Sequence, residues 1–203
     1  MIRETITVRS DLVAGDGIYS AQIPARSTAA VVAFHIAATD GSPAGVSGTF
    51  PATAPVQECL LRWGDTIPTG SFTHYHMWNT AAVDKARNSS IPLDNTYRDM
   101  TVVYGNGRII YNAGFRDKGS PYHSGAGDWA VTVPEDDLLL GVTERVWGST
   151  GNGGTEETGV RGRISAWLAK EMGIPYLHAH EIRVYKNGTE HDPGNITEDN
   201  EDP

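Results

Sequence analysis

Thr101-Val102-Val103-Tyr104-Gly105-Asn106-Gly107-Arg108-Ile109-Ile110-Tyr111 sets two β-rich runs around a Gly-Asn-Gly turn. Branched and aromatic side chains flanking a short glycine turn are the sequence signature of a hairpin. Working outward, Trp129 to Val133 alternates and stops at Pro134. Glu181 to Lys186 alternates again and turns at Asn187-Gly188. Between these lies a helical pattern. Val160, Ile164, Trp167, Leu168 and Met172 fall at helical spacing, and Gly173 is placed to cap the C-terminus. Thr155 is a candidate N-cap, with Glu156 and Glu157 in the first turn, where negative charge suits the helix dipole. Strands, one strong helix and further strands define an α+β fold: a mixed sheet with one main helix packed on it through Trp167.

The N-terminal quarter reads as all-β. Thr5 to Val8 and Ile18 to Ile23 alternate, and Val31 to Ala37 is a short apolar strand closed by Asp40-Gly41-Ser42-Pro43. Strands at this spacing predict partial sandwich packing over residues 1–55. Residues 43–70 are rich in Pro, Gly, Ala and Thr and are expected to form a connector with one strand near Leu60 to Trp63. Residues 73–87 carry weak helical spacing through Met77, Ala81, Ala82 and Lys85, ended by Asn88-Ser89-Ser90-Ile91-Pro92.

The chain has 203 residues and a formal net charge of −9. That length is enough to bury roughly 70% of the extended-chain surface without a metal or disulfide. A nucleic-acid footprint is basic and clustered, so the acidic balance argues against that class. No apolar run reaches the length of a membrane span, and the N-terminus lacks a signal-peptide core. The single cysteine, Cys59 in Glu-Cys-Leu-Leu, is expected to be buried. Glu190, Asp192, Glu198, Asp199, Glu201 and Asp202 crowd the C-terminus and read as a solvated tail.

Two resemblances go further. Residues 14–24 with Phe34 to Asp40 look like the last strands of an immunoglobulin-like or fibronectin-like domain. Val160 to Pro175 resembles a helix motif of the spore-coat CotH protein kinase family, through Arg161, Glu171, Met172, Gly173 and Pro175, followed by Asn187-Gly188. Arg116-Asp117-Lys118-Gly119-Ser120 looks like that family's basic loop, and Gly119 to Ser124 like a branch found in large bacterial surface proteins. The resemblance covers about residues 58 to 200 and implies a domain over 56–203 built as an atypical kinase first lobe. It implies ATP with Mg²⁺ as cofactors, Arg116, Lys118, Gly119 and Ser120 near the phosphates, and Glu171 or Glu157 as the helix acid holding a cation. It further implies a cell-surface or extracellular setting and a protein substrate or coat-protein partner.

The chain departs from that pattern where chemistry would occur. The strand after the glycine loop, Asp128 to Val133, carries no basic residue. The family's catalytic and metal-binding acids belong to a second lobe, expected beyond Pro203, so this half is expected to be inactive alone and no catalytic residue is assigned. A non-catalytic extracellular binding or scaffold module is the alternative. A third reading uses the pairs His74/His76 and His178/His180, whose i, i+2 spacing sets two imidazoles on one strand face. Each pair lacks an evident third ligand, and structural histidines are the simpler account. Gly151-Asn152-Gly153-Gly154 precedes the helix without the Lys-Ser/Thr of a phosphate loop.

Overall fold

The computed structural model describes residues 19–66, 68–70, 72–88, 94–118, 128–149, 160–176, 178–191 and 197–201. The expected strands at Thr5 to Val8, the Gly119 to Gly127 loop and the Thr155 cap lie outside them. The described part of the first β segment, 19–23, is not strand. β1 (Val31–Phe34) pairs antiparallel with β4 (Cys59–Arg62) across the residue-55 boundary. β2 (Ile36–Thr39) pairs with β3 (Ser47–Phe50). The Asp40 carboxylate closes that second hairpin by accepting from Ser42 N, Ser42 Oγ and Val46 N.

The remaining strands are β5 (Thr73–Trp78), β6 (Arg98–Tyr104), β7 (Arg108–Asp117), β8 (Trp129–Thr132), β9 (Glu144–Ser149), β10 (His178–Lys186), β11 (Thr189–Glu190) and β12 (Thr197–Glu201). They are ordered β11-β10-β12-β9-β8-β7-β6-β5, and β10 also pairs with β5. Seven strands therefore close into a ring, a mixed barrel whose closing pair, β5 with β10, is parallel. Closure removes the exposed sheet edges that invite aggregation. A barrel of about this strand number has an interior just wide enough for side chains to fill. Tyr75, Met77, Met100, Val102, Ile110, Phe115, Val131, Trp147, Ile182 and Val184 supply the filling, each at 2% exposure or less.

The hairpin read at 101–111 is present, with Tyr104 opposite Arg108. Its far end holds a bulge. Met100 faces Ala113 while Val102 faces Ile110, so β7 carries one extra residue. The bulge frees Tyr111 O, and the buried Thr101 hydroxyl donates to it at 3.2 Å. Thr101 Oγ1 in turn accepts from Leu60 N at 3.0 Å, which docks β4 on the outside of the barrel. Leu60, Trp78 and Val103, with Val31, Ala33, Leu61 and Ile109, form a second small core there.

Four expectations change, the first being that residues 43–70 hold two strands, β3 and β4, rather than one. Residues 73–78 are strand, and α1 is only Ala81–Asn88. The reason is that β5 is covered on both faces. Tyr75 and Met77 sit in the barrel core, and Trp78 sits in the outer one, so apolarity alone shows no period of two. Thr80 caps α1 by accepting from Val83 N at 3.2 Å. The acidic stretch at the C-terminus is not a free tail over 197–201, because β12 sits between β9 and β10. The main helix is present as α2 (Val160–Glu171) and ends in a Schellman motif. Gly173 N donates to Lys170 O, Ile174 N to Ala169 O, and Gly173 has φ of 68°. Its apolar stripe, however, is not packed on the sheet: Trp167 is 58% exposed.

Candidate functional site

The closing seam of the barrel explains the Asn187-Gly188 turn. Both residues have positive φ, 47° and 79°, as a primed hairpin turn requires. Asn187 N donates to Met77 O at 2.9 Å, continuing the β5–β10 ladder. Its side-chain amide then imitates a strand. Asn79 N donates to Asn187 Oδ1, and Asn187 Nδ2 donates to Asn79 O, both at 3.1 Å. A Cβ at Gly188 would meet only the Arg62 guanidinium, the movable end of a flexible side chain, so it is the positive φ that favours glycine here. The Asn-Gly pair singled out by the family resemblance thus has a structural role in closing the ring.

α1 lies near one end of this seam. Val83 packs against the barrel core, Asp84 pairs with Lys186 of β10, and Arg87 Nη1 meets Asp117 Oδ1 of β7 at 2.7 Å. Lys186 Nζ also stands 5.6 Å from the Phe115 ring centroid. The interior reached here is occupied by side chains.

The residues implied for phosphate binding are placed apart. Arg116 is near the end of β7, where Nη1 donates to Asn95 Oδ1 at 3.3 Å and to Asp117 O at 3.4 Å. Its guanidinium carbon lies 5.3 Å from the centroid of the Tyr97 ring. Lys118 follows the strand, exposed, with its backbone N–H donating to Asp128 O at 3.0 Å. Gly119, Ser120 and Glu157 lie outside the described residues. Glu171 is the last residue of α2, which touches β10. β10 and β7 are three strands apart either through β5 and β6 or, the longer way, four steps through β12, β9 and β8. The strand that carries Arg116 and the strand that α2 touches are therefore not neighbours in the ring.

The first histidine pair is inside a cluster that spacing alone did not reveal. His74 and His76 share the outer face of β5 at 9% and 6% exposure, their rings edge to face with centroids 5.6 Å apart. His76 stacks on Tyr185, 5.3 Å between centroids. Its Nδ1 is 3.7 Å from Asp65 Oδ2, which accepts from Trp78 Nε1 at 2.8 Å, and Asp65 also pairs with Arg62. Burial, then the neighbouring His74 and Arg62, hold the His76 pKa below its ordinary value. No group of three or more His, Cys, Asp or Glu side chains among the described residues is arranged to hold a metal ion. The pair is read as a packed structural element. Its partners Arg62, Asp65 and Tyr185 were missed because they come from two other segments, 62–65 and β10, remote from β5 in sequence. His178 and His180 start β10, where His178 is exposed and packs its ring 4.8 Å from that of Tyr176.

A second titrating cluster lies under β4. Cys59 is fully buried, and burial, then Asp99, push its thiol up to about 11. The thiolate is the reactive form, so this cysteine is inert at neutral pH. Burial also raises Asp99 to about 6, although it accepts from Glu58 N at 3.1 Å.

Two surface features remain. Pro68, Thr69, Gly70, Phe72 and Arg183 line an open hollow of about 180 Å³, below the roughly 300–1,000 Å³ of a typical small-molecule site. The other feature is the stripe on α2. Val160, Ile164, Trp167, Leu168 and Met172 are 43–71% exposed. Arg163 Nη2 meets Glu181 Oε1 of β10 at 2.8 Å, and the half-buried positions of the helix are Ala166 and Ala169. At 100° per residue these alanines lie opposite the stripe. The helix therefore turns its small residues to the barrel and its large ones outward. No described helix is long and apolar enough to cross a membrane. No family model and no curated protein matches the chain.

Proposed function

We propose that this chain is a non-catalytic binding or scaffold module, with a protein partner docking on α2. The observation that carries this reading is the outward apolar stripe of that helix. Scattered exposed hydrophobes need no explanation, but a contiguous set of large ones marks an interaction site. The filled barrel is the rigid support. Two placements favour this reading over nucleotide binding: Arg116 engages Asn95 and Tyr97, and the strand that α2 touches is not a neighbour of the strand that carries Arg116.

Two measurements on the dilute chain test it. Acrylamide should quench the emission that is lost in Trp167→Phe, because a docking residue is open to solvent. Calorimetric titration with ATP and Mg²⁺ should give no binding heat. A dissociation constant of about 10 μM or tighter, roughly −7 kcal/mol, would contradict a non-catalytic module and support the nucleotide-binding half of a CotH-like kinase.

A further inference from the structure

We propose that Asn106, at the tip of the β6–β7 hairpin, is a site of spontaneous covalent modification, whereas the same dipeptide at Asn187-Gly188 is locked against it by the barrel seam. This goes beyond the docking reading above and does not depend on it. Asn-Gly is the most reactive setting for an asparagine side chain, because no Cβ shields the following backbone nitrogen. That nitrogen, of Gly107, attacks Cγ of Asn106. The N–Cγ bond forms, the Cγ–Nδ2 bond breaks, and ammonia leaves with the proton that Gly107 N carried. Water then opens the cyclic imide at one carbonyl or the other. The product is an aspartyl or an iso-aspartyl residue, and either adds a negative charge.

The two described steps differ in what holds them; another Asn-Gly step, at 152–153, lies outside the described residues. Asn106 and Gly107 are both exposed. Among the described residues none bonds the Asn106 amide, and a Cβ at Gly107 would meet nothing within 4 Å. Cγ is therefore free to rotate onto the nitrogen. Asn187 is half-buried, and its amide is engaged at both ends. Oδ1 accepts from Asn79 N at 3.1 Å, while Nδ2 donates to Asn79 O at 3.1 Å and to Asn79 Oδ1 at 3.3 Å. These bonds hold Cγ against Asn79, so attack by Gly188 N must break them while β10 stays paired with β5. Modification there would not be silent either. A carboxylate has no donor for the two Asn79 oxygens, so the seam would lose bonds and gain repulsion. Asn187 therefore reacts only in chains whose ring has opened, and its loss weakens reclosure.

Peptide mapping by mass spectrometry of the full chain, incubated in mildly alkaline buffer with and without urea, tests this. Each site reports the mass gained when its amide NH₂ is exchanged for OH. Asn106 should convert in the folded chain within about threefold of its rate in the unfolded one, and Asn187 at least about tenfold more slowly folded than unfolded. Gly107→Ala should slow Asn106 at least about tenfold, because the new Cβ crowds the attacking nitrogen. Asn106→Asp and Asn187→Asp mimic the aspartyl product at each site. The first should melt with the parent, and the second at least about 3 °C below it. An Asn106 that stays intact in the folded chain while converting in urea would overturn the proposal, as would equal folded and unfolded rates at Asn187. Parent-like melting of Asn187→Asp would overturn the role of that amide in reclosure.

Discussion

Asp99 sits on β6 beneath the Glu58–Cys59 step of β4, where its carboxylate is half-buried and meets the negative charge of Glu58. Its folded pKa, raised to about 6, exceeds the ordinary value of roughly 3.9. A raised carboxyl binds its proton more tightly in the folded state, so its contribution to stability is greatest below about pH 4 and falls as pH rises through 6. Asn keeps an acceptor for Glu58 N and carries no charge. Asp99→Asn should therefore stabilise the fold by about 1 kcal/mol at pH 8, after discounting for solvent screening. Chemical denaturation at pH 8 and pH 4 checks this, and the gain should vanish at the lower pH. His76 acts in the opposite sense. Its lowered pKa means that stability is lost as pH falls below its unfolded value of about 6.5, so comparison with the parent at each pH isolates Asp99. None of this was legible in the sequence. Burial of Cys59 was, because a thiol among leucines has little else to do, but the carboxylate that faces it is forty residues away.

At the scale of elements, the 101–111 hairpin, the 129–132 strand, the turn at Asn187-Gly188 and the helix with its Gly173 cap were all readable, because each is set by local chemistry. β5 was read as helix because both of its faces are buried and its alternation is hidden. β12 was read as tail because Thr-Glu-Asp-Asn-Glu has low strand propensity and gains its place only from two neighbours distant in sequence. The stripe on α2 was found, but its orientation was not: periodicity identifies an apolar face without saying what lies opposite it. Trp147 and Trp167 make the difference measurable. Trp147 is fully buried against Tyr75, ring centroids 4.6 Å apart, and Trp147→Ala should cost about 3–5 kcal/mol. Trp167→Ala should cost no more than about 0.5 kcal/mol. Urea titrations of the two variants read both values, and a cost near that of Trp147 for Trp167 would place the stripe in a core.

The whole molecule is held by a closure that joins its most distant parts. β10 lies more than ninety residues beyond β5 in the chain, yet their parallel pairing, extended by the Asn79–Asn187 amides, completes the ring. The class, α+β with a mixed sheet, was legible; the ring was not, since which strand pairs with which is a long-range choice. With the interior filled and the ring closed, the outer face of α2 is the place proposed for docking. Hydrogen exchange on the dilute chain tests that division most directly. The paired amides of β5 and β10 should fall together among the slowest, opening only with global unfolding. Those of α2, with no buried residue, should exchange markedly faster through local opening. Edge-like fast exchange along β5, or an α2 protected as strongly as the barrel, would contradict a closed scaffold carrying an exposed docking helix.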